Sequence, residues 1–150
     1  NLGGYVIANK KITSFLKFQS RQHIFSVTAP PSSFGILKAI DLIDEEPFWK
    51  DKLWDNINYF KTGLNDLGLD TGITCSAIIP VKIGDQNKMW DIGRILLEEG
   101  VYTNPIMYPA VARKDARIRM TVTARHEKEH LDKTLNVFDD INKKLHIAKK

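Results

Sequence analysis

The 150-residue sequence predicts an α+β fold, with a mostly helical part over residues 1 to about 65 and a compact lobe from about 66 to 150. In that lobe a small sheet carries helices on one face. Three observations predict it. Within DARIRMTVTARH, residues 115–126, apolar and polar side chains alternate from Ala116 to Ala124, which is the period of a half-buried strand. Two long segments, 48–67 and 127–145, instead repeat apolar residues every three or four positions, the stripe of an amphipathic helix. Pro80 and Pro105 fall within two other apolar runs, and a residue without an N–H confines its strand to a sheet edge or a bulge.

The elements follow in order. NLGGYVIANKK opens on a glycine pair and runs into a short apolar strand, residues 5–8, so the chain reads as part of something longer. Residues 11–20 form a short helix with Ile12, Phe15 and Leu16 on one face. HIFSVTAPPSS is extended and closes on a proline pair, with Ser32 and Ser33 as N-caps. The helix they cap, 34–44, aligns Ile36, Ala39, Ile40 and Ile43, and Pro47 interrupts the pattern. The long helix 48–67 carries Trp49, Leu53, Ile57, Phe60, Leu64 and Leu67, with Gly68 where it stops. Strands are expected at 76–83, 101–107 and 116–122. A helix with Met89, Ile92, Leu96 and Leu97 on one face separates the first two and ends at Gly100. The last helix, 127–145, aligns Leu131, Leu135, Phe138, Ile141 and Leu145.

Composition narrows the function classes. Hydrophobic residues make up 43% and charged residues 27%, the balance of an ordinary globular protein. No apolar run approaches the ~18 residues of a membrane-spanning helix. The single cysteine, Cys75, excludes an internal disulfide and a cysteine-based metal cluster, and fits a reducing, cytoplasmic compartment. The net charge of +4 is spread among 18 acids, with dense basic spots only at NKKLH and the AKK tail. That pattern is a solvated surface and not a nucleic-acid footprint.

Few residues invite chemistry. His126 and His130 stand four apart on the last helix, without the glutamate of a metalloprotease motif or a third ligand nearby. They read as a solvated helix end, and no metal site is expected. Cys75 lacks a thiolate-stabilising context and reads as a small packed residue. The LGG stretch is too short for a phosphate-binding loop and reads as a tight turn or a close backbone contact. The sharpest local signal is the polar face of the alternating strand. Arg117 and Arg119 lie on it about 7 Å apart at strand rise, and no acid of that strand shares the face. Two readings stand at this point. One is a solvated face rich in strand-forming threonine and soluble arginine. The other is recognition of a carboxylate or phosphate by a planar guanidinium with two parallel donors.

Several stretches taken together carry a resemblance. LGGYVIA, then HIFSVTAPPSS, then GVYTNPIMYPAVARKDARIRMTVTARH, in that order and at these separations, resemble the pyridoxal-phosphate (PLP)-dependent α-oxoamine synthases. That family includes serine palmitoyltransferase, glycine C-acetyltransferase (2-amino-3-ketobutyrate CoA ligase), 8-amino-7-oxononanoate synthase and 5-aminolevulinate synthase. The most specific piece is ARIRM with the TARH that follows, and the glycine pair is the least. The resemblance covers essentially the whole chain, but only about the last third of a complete family member.

The resemblance implies the C-terminal small domain of a fold type I PLP-dependent transferase, residues 66–150, joined to the end of the large domain and its bridging helices, residues 1–65. It implies a decarboxylating condensation of an amino acid with an acyl-CoA, PLP as cofactor, and a homodimer with shared active sites. The family's Schiff-base lysine lies a few residues before the glycine pair, so none of the lysines here is catalytic; Lys10 and Lys11 come after the strand. Arg119 matches the arginine that grips the amino-acid carboxylate, while Arg117 is structural. Phe25 and Ser26, with Thr28 as helper, match the segment that reaches the partner's cofactor phosphate. Where the family commonly has threonine after the histidine of its TARH-like motif, this chain has Glu127, which removes a hydroxyl cap from the last helix. Ala110 stands where members that handle dicarboxylic acyl groups often have threonine, and Ile106, Met107, Tyr108 and Val111 around it suit a hydrocarbon chain. Within the family the expectation is therefore a serine palmitoyltransferase-like member, then glycine C-acetyltransferase or 8-amino-7-oxononanoate synthase. The reading from another class is a non-catalytic α+β binding or dimerisation module.

Overall fold

The arginine strand lies at the centre of a three-stranded antiparallel sheet in a computed structural model that describes residues 6–21 and 30–148, without the side chains of 30–33. The strands are β1 (Ile78–Lys82), β2 (Asn104–Ile106) and β3 (Arg117–Thr121), in the order β1-β3-β2. Pro80 and Pro105 thus sit on the two edge strands, where a missing N–H leaves no ladder bond unmade. The alternation of β3 sorts the faces as expected. Ala116, Ile118 and Val122 are almost wholly buried, Met120 nearly so, and Arg119 and Thr121 are exposed.

Helices cover the apolar face. They are α3 (Phe48–Asp66), α4 (Gln86–Glu98) and α5 (Lys128–Leu145). Their stripes meet the sheet through Ile57, Phe60 and Leu64 of α3, Met89, Ile92 and Leu96 of α4, and Leu131, Phe138 and Ile141 of α5. Each such side chain contributes roughly 1.5–3 kcal/mol by leaving water. Gly63 lets α3 approach α5, since a Cβ there would stand 2.5 Å from Leu135 Cδ1. Gly68 and Gly100 end α3 and α4 with φ of 76° and 77°, a left-handed turn that glycine adopts without penalty. The next residue in each case, Leu69 or Val101, bonds back to the carbonyl of Leu64 or Leu96.

The chain divides into two compact units, Asn1–Pro47 and Phe48–Lys150. α3 falls in the second unit, its stripe buried against α5.

In the first unit, α1 (Lys10–Gln19) and α2 (Pro30–Glu45) form. Asn9 caps α1, its side chain accepting the Ile12 N–H at 3.1 Å. The apolar stripes exist but are uncovered: Phe15 of α1 and Ile43 of α2 are 65% and 61% exposed. Two expectations need correction here. Residues 6–8 are not a strand, and Ile7 is 88% exposed; no strand stands among the described residues of this unit to complete a ladder. Ser32 and Ser33 do not cap α2 either, because the helix already begins at Pro30. Proline suits the first turn, where N–H groups have no partner within the helix. Among the described residues no helix is long and apolar enough to cross a membrane.

Candidate functional site

Directly opposed residues of antiparallel strands share a face. The register therefore builds the open face of the sheet in rows. Arg119 lies between Pro80 on β1 and Asn104 on β2; Arg117 lies between Lys82 and Ile106; Thr121 faces Ile78.

The two arginines differ in what they touch. Arg117 is half-buried, and its Nε donates to the Asp115 carbonyl at 2.8 Å. The Asp115 carboxylate pairs with Lys82 Nζ at 2.7 Å. That hydrogen bond, with the charges of Lys82, Lys114 and Arg117, holds the Asp115 carboxyl below its ordinary range. Arg117 is thus part of a local brace. Arg119 is exposed and, among the described residues, makes no side-chain hydrogen bond or ion pair. Its guanidinium has donors to offer and no acid among the described residues to satisfy them. Sequence alone missed Pro80, Asn104 and Lys82 as neighbours, since a register joins residues far apart in the chain.

Below β3 the chain turns sharply into α5, and α3 holds that turn. Asn56 Nδ2 donates to the carbonyls of Thr123 at 3.1 Å and His126 at 2.8 Å. His126 Nδ1 accepts the Thr123 N–H at 3.2 Å, and His130 Nδ1 accepts the Glu127 N–H at 3.1 Å. The two rings meet edge to face, 6.3 Å apart. Burial, then the charge of His130, pushes the His126 pKa down. The histidine pair is therefore part of a helix start, in place of the solvated end expected from spacing. Glu127 takes the place of the missing hydroxyl in a capping box with His130, and its carboxylate pairs with Lys52 at 2.7 Å, which lowers its pKa.

The loop from β2 to β3 alters another expectation. Met107 packs against the core, so it does not line an outward groove with Tyr108 and Val111. Its carbonyl accepts the Ala110 N–H at 2.9 Å, and Ala110 is exposed. Cys75 is exposed too, in the loop before β1, and is not a packed residue. Phe25, Ser26 and Thr28, and the LGG stretch, lie outside the described residues.

Recesses open on the described part of the second unit, two of them between its elements. One of about 510 Å³ lies between α4 and α5 and is lined by Glu99, Glu129, Asp132 and Asp140 among others. The other, of about 130 Å³, is lined by Phe60, Met120, Val122, His126 and His130 among others. Arg119 lines neither of these and stands on the open sheet face.

The family model for aminotransferase class I and II matches residues 2–138. The chain belongs to that family. Among its relatives, an 8-amino-7-oxononanoate synthase from Thermoanaerobacter pseudethanolicus is 40% identical over 147 residues, covering 97% of this chain and 37% of the relative. A Thermus thermophilus protein described as 8-amino-7-oxononanoate synthase/2-amino-3-ketobutyrate coenzyme A ligase is 40% identical over 149 residues, with 99% and 38% covered. The solved serine palmitoyltransferase of Sphingomonas wittichii superposes with a TM-score of 0.74 at 24% identity, over 95% of this chain and 37% of that one. At that identity the likeness speaks for the fold, which is that of the C-terminal region of fold type I PLP-dependent transferases. This family member spans little more than a third of the length of the curated relatives it matches.

Proposed function

We propose that this chain is part of a PLP-dependent α-oxoamine synthase that condenses an amino acid with an acyl-CoA and releases carbon dioxide. The observation that carries the proposal is Arg119, central on an open face, exposed, and unpaired among the described residues. A guanidinium in that state fits the carboxylate of an amino-acid substrate. Solved serine palmitoyltransferases of this fold hold PLP, and the donor set here fits the substrate end of such a site. Phe25, Ser26 and Thr28 are proposed to reach the cofactor phosphate.

PLP, when bound, supplies the electron sink for negative charge at the substrate Cα. This chain's residues do the holding. Arg119 anchors the carboxylate through two parallel N–H donors and so fixes the direction of the Cα bonds. The Arg117–Asp115–Lys82 brace pins the start of β3, and Asn56 pins the turn beyond its end. Between those two ties Arg119 has little freedom to drift.

Residues 1–65 are proposed as the end of the large domain with its bridging helices, and 66–150 as the small domain. A homodimer with shared active sites is proposed from the resemblance to the α-oxoamine synthases. Among family members, identity near 40% favours an 8-amino-7-oxononanoate synthase or 2-amino-3-ketobutyrate CoA ligase over the serine palmitoyltransferase expected from sequence. The inward Met107 agrees, because it removes one wall of the supposed hydrocarbon groove. The test is kcat/KM of the full-length enzyme with pimeloyl-, acetyl- and palmitoyl-CoA, each with alanine, glycine and serine. Pimeloyl- or acetyl-CoA should lead; a clear palmitoyl-CoA preference would restore the serine palmitoyltransferase reading.

A further inference from the structure

We propose that Asn104 is a second contact for the carboxylate of the amino-acid substrate, its Nδ2 donating to one oxygen of the group that Arg119 grips. The inference rests on the reading of Arg119 as the carboxylate anchor, and it adds the residue that sets how that carboxylate is turned.

Placement is the first support. Asn104 of β2 stands directly opposite Arg119 of β3, and directly opposed side chains share a face with Cβ atoms about 4.5–5.5 Å apart. Packing gives the same face independently. A Cβ built on Gly93 of α4 would stand 3.4 Å from Pro105 Cγ, so Pro105 points toward the helices. Its neighbours along the strand, Asn104 and Ile106, therefore point to the open side with the arginines. The chain is tied before and after this strand. The Val101 N–H donates to the Leu96 carbonyl at 2.7 Å, and the Ala110 N–H donates to the Met107 carbonyl at 2.9 Å.

The chemistry of the row is the second support. Arg119 lies between Pro80 and Asn104. The proline side chain has no polar atom, so of these two neighbours only Asn104 can share a ligand with the guanidinium. An acid in its place would pair with Arg119 and use up its donors, and a base would repel it. A neutral amide leaves the guanidinium charge unspent and sets another N–H donor beside it. Asparagine is also depleted in strands and calls for a reason there. Asn56 and Asn142 tie distant backbone groups together. Asn104 is exposed, and its amide makes no hydrogen bond among the described residues.

What a further donor adds is orientation. Two parallel N–H groups fix the distance of a carboxylate, which can still swing out of the guanidinium plane. A donor reaching from β2 stops that swing and so fixes the direction of the Cα bonds.

The experiment uses the PLP-loaded, full-length enzyme. Calorimetry reads Kd for glycine, for alanine and for ethylamine, which is alanine without its carboxylate, in wild type, N104A, N104D and R119A. In N104A the Kd of the two amino acids should rise about tenfold, the worth of one hydrogen bond to a charged group. The Kd of ethylamine should not move. N104D should weaken the amino acids further than N104A, because an aspartate beside Arg119 takes its donors and repels the substrate carboxylate. Thermal melts establish that the variants are folded. Equal losses for the amino acids and ethylamine would make Asn104 a structural residue and overturn the inference. Amino-acid affinity lowered in R119A but unchanged in both Asn104 variants would overturn it while leaving the Arg119 reading in place. Unchanged affinity in R119A would overturn both.

Discussion

Replacing His126 with asparagine should make the fold less sensitive to acid between about pH 7.5 and pH 5. His126 Nδ1 accepts the Thr123 N–H at 3.2 Å, which only the neutral ring can do. Burial, and next the charge of His130, depress its pKa below the ordinary 6.5. The folded state therefore binds fewer protons than the unfolded one. Stability from this residue is complete above about pH 6.5 and is lost as pH falls through the depressed pKa. The ring is partly exposed, so water screens the charge and the broken hydrogen bond sets the scale, about 1 kcal/mol. For a chain of this length that is a shift of about 2–4 °C in Tm. Asparagine can offer its Oδ1 to the same N–H without titrating. The carboxylates of Asp115 and Glu127 are both held below their ordinary ranges, so they titrate at lower pH and stay out of the window. The assay is urea or thermal unfolding of wild type and H126N at the two pH values, which cancels the groups that do not interact with His126. Equal losses in the two proteins would refute the reasoning.

Three further outcomes follow from the same structure. N56A removes two hydrogen bonds that tie α3 to the turn after β3 and should cost about 1–2 kcal/mol after the helix-propensity gain of alanine, read as a lower urea midpoint at unchanged slope. F138A empties a wholly buried site between α5 and the sheet and should cost about 3–5 kcal/mol by the same measurement. In the full-length enzyme, Ala110→Thr supplies a hydroxyl on an exposed loop and should raise kcat/KM for pimeloyl-CoA relative to acetyl-CoA by about tenfold, the worth of one hydrogen bond to a charged group.

The sheet was legible because each strand announces itself locally. Ile118 and Met120 alternate with Arg117 and Arg119, and Pro80 and Pro105 mark the edges without any knowledge of partners. The helices of the second unit were legible from their stripes and from Gly68 and Gly100. What stayed hidden depends on partners far away in sequence. Asn104 and Lys82 reach the arginines only through register, and Asn56 reaches Thr123 only because α3 packs beside α5. The short run Val6–Ile7–Ala8 has the residues of a strand, but a strand needs a second one beside it. The role of the histidines was hidden by a different cause, since spacing places His126 and His130 four apart but does not show that His126 lies in the turn before α5 or that each turns Nδ1 to a backbone N–H.

The most direct test of the central claim is the affinity of the PLP-loaded, full-length enzyme for its amino-acid substrate in wild type, R119A and R119K. Losing a charge-assisted bidentate pair costs about 1.5–3 kcal/mol, so Kd should rise about tenfold to a hundredfold in R119A. R119K should recover little, because lysine keeps the charge but not the fork. PLP loading should stay close to that of wild type. Equal amino-acid affinity in wild type and R119A would contradict the account and return the open face of the sheet to a solvated surface.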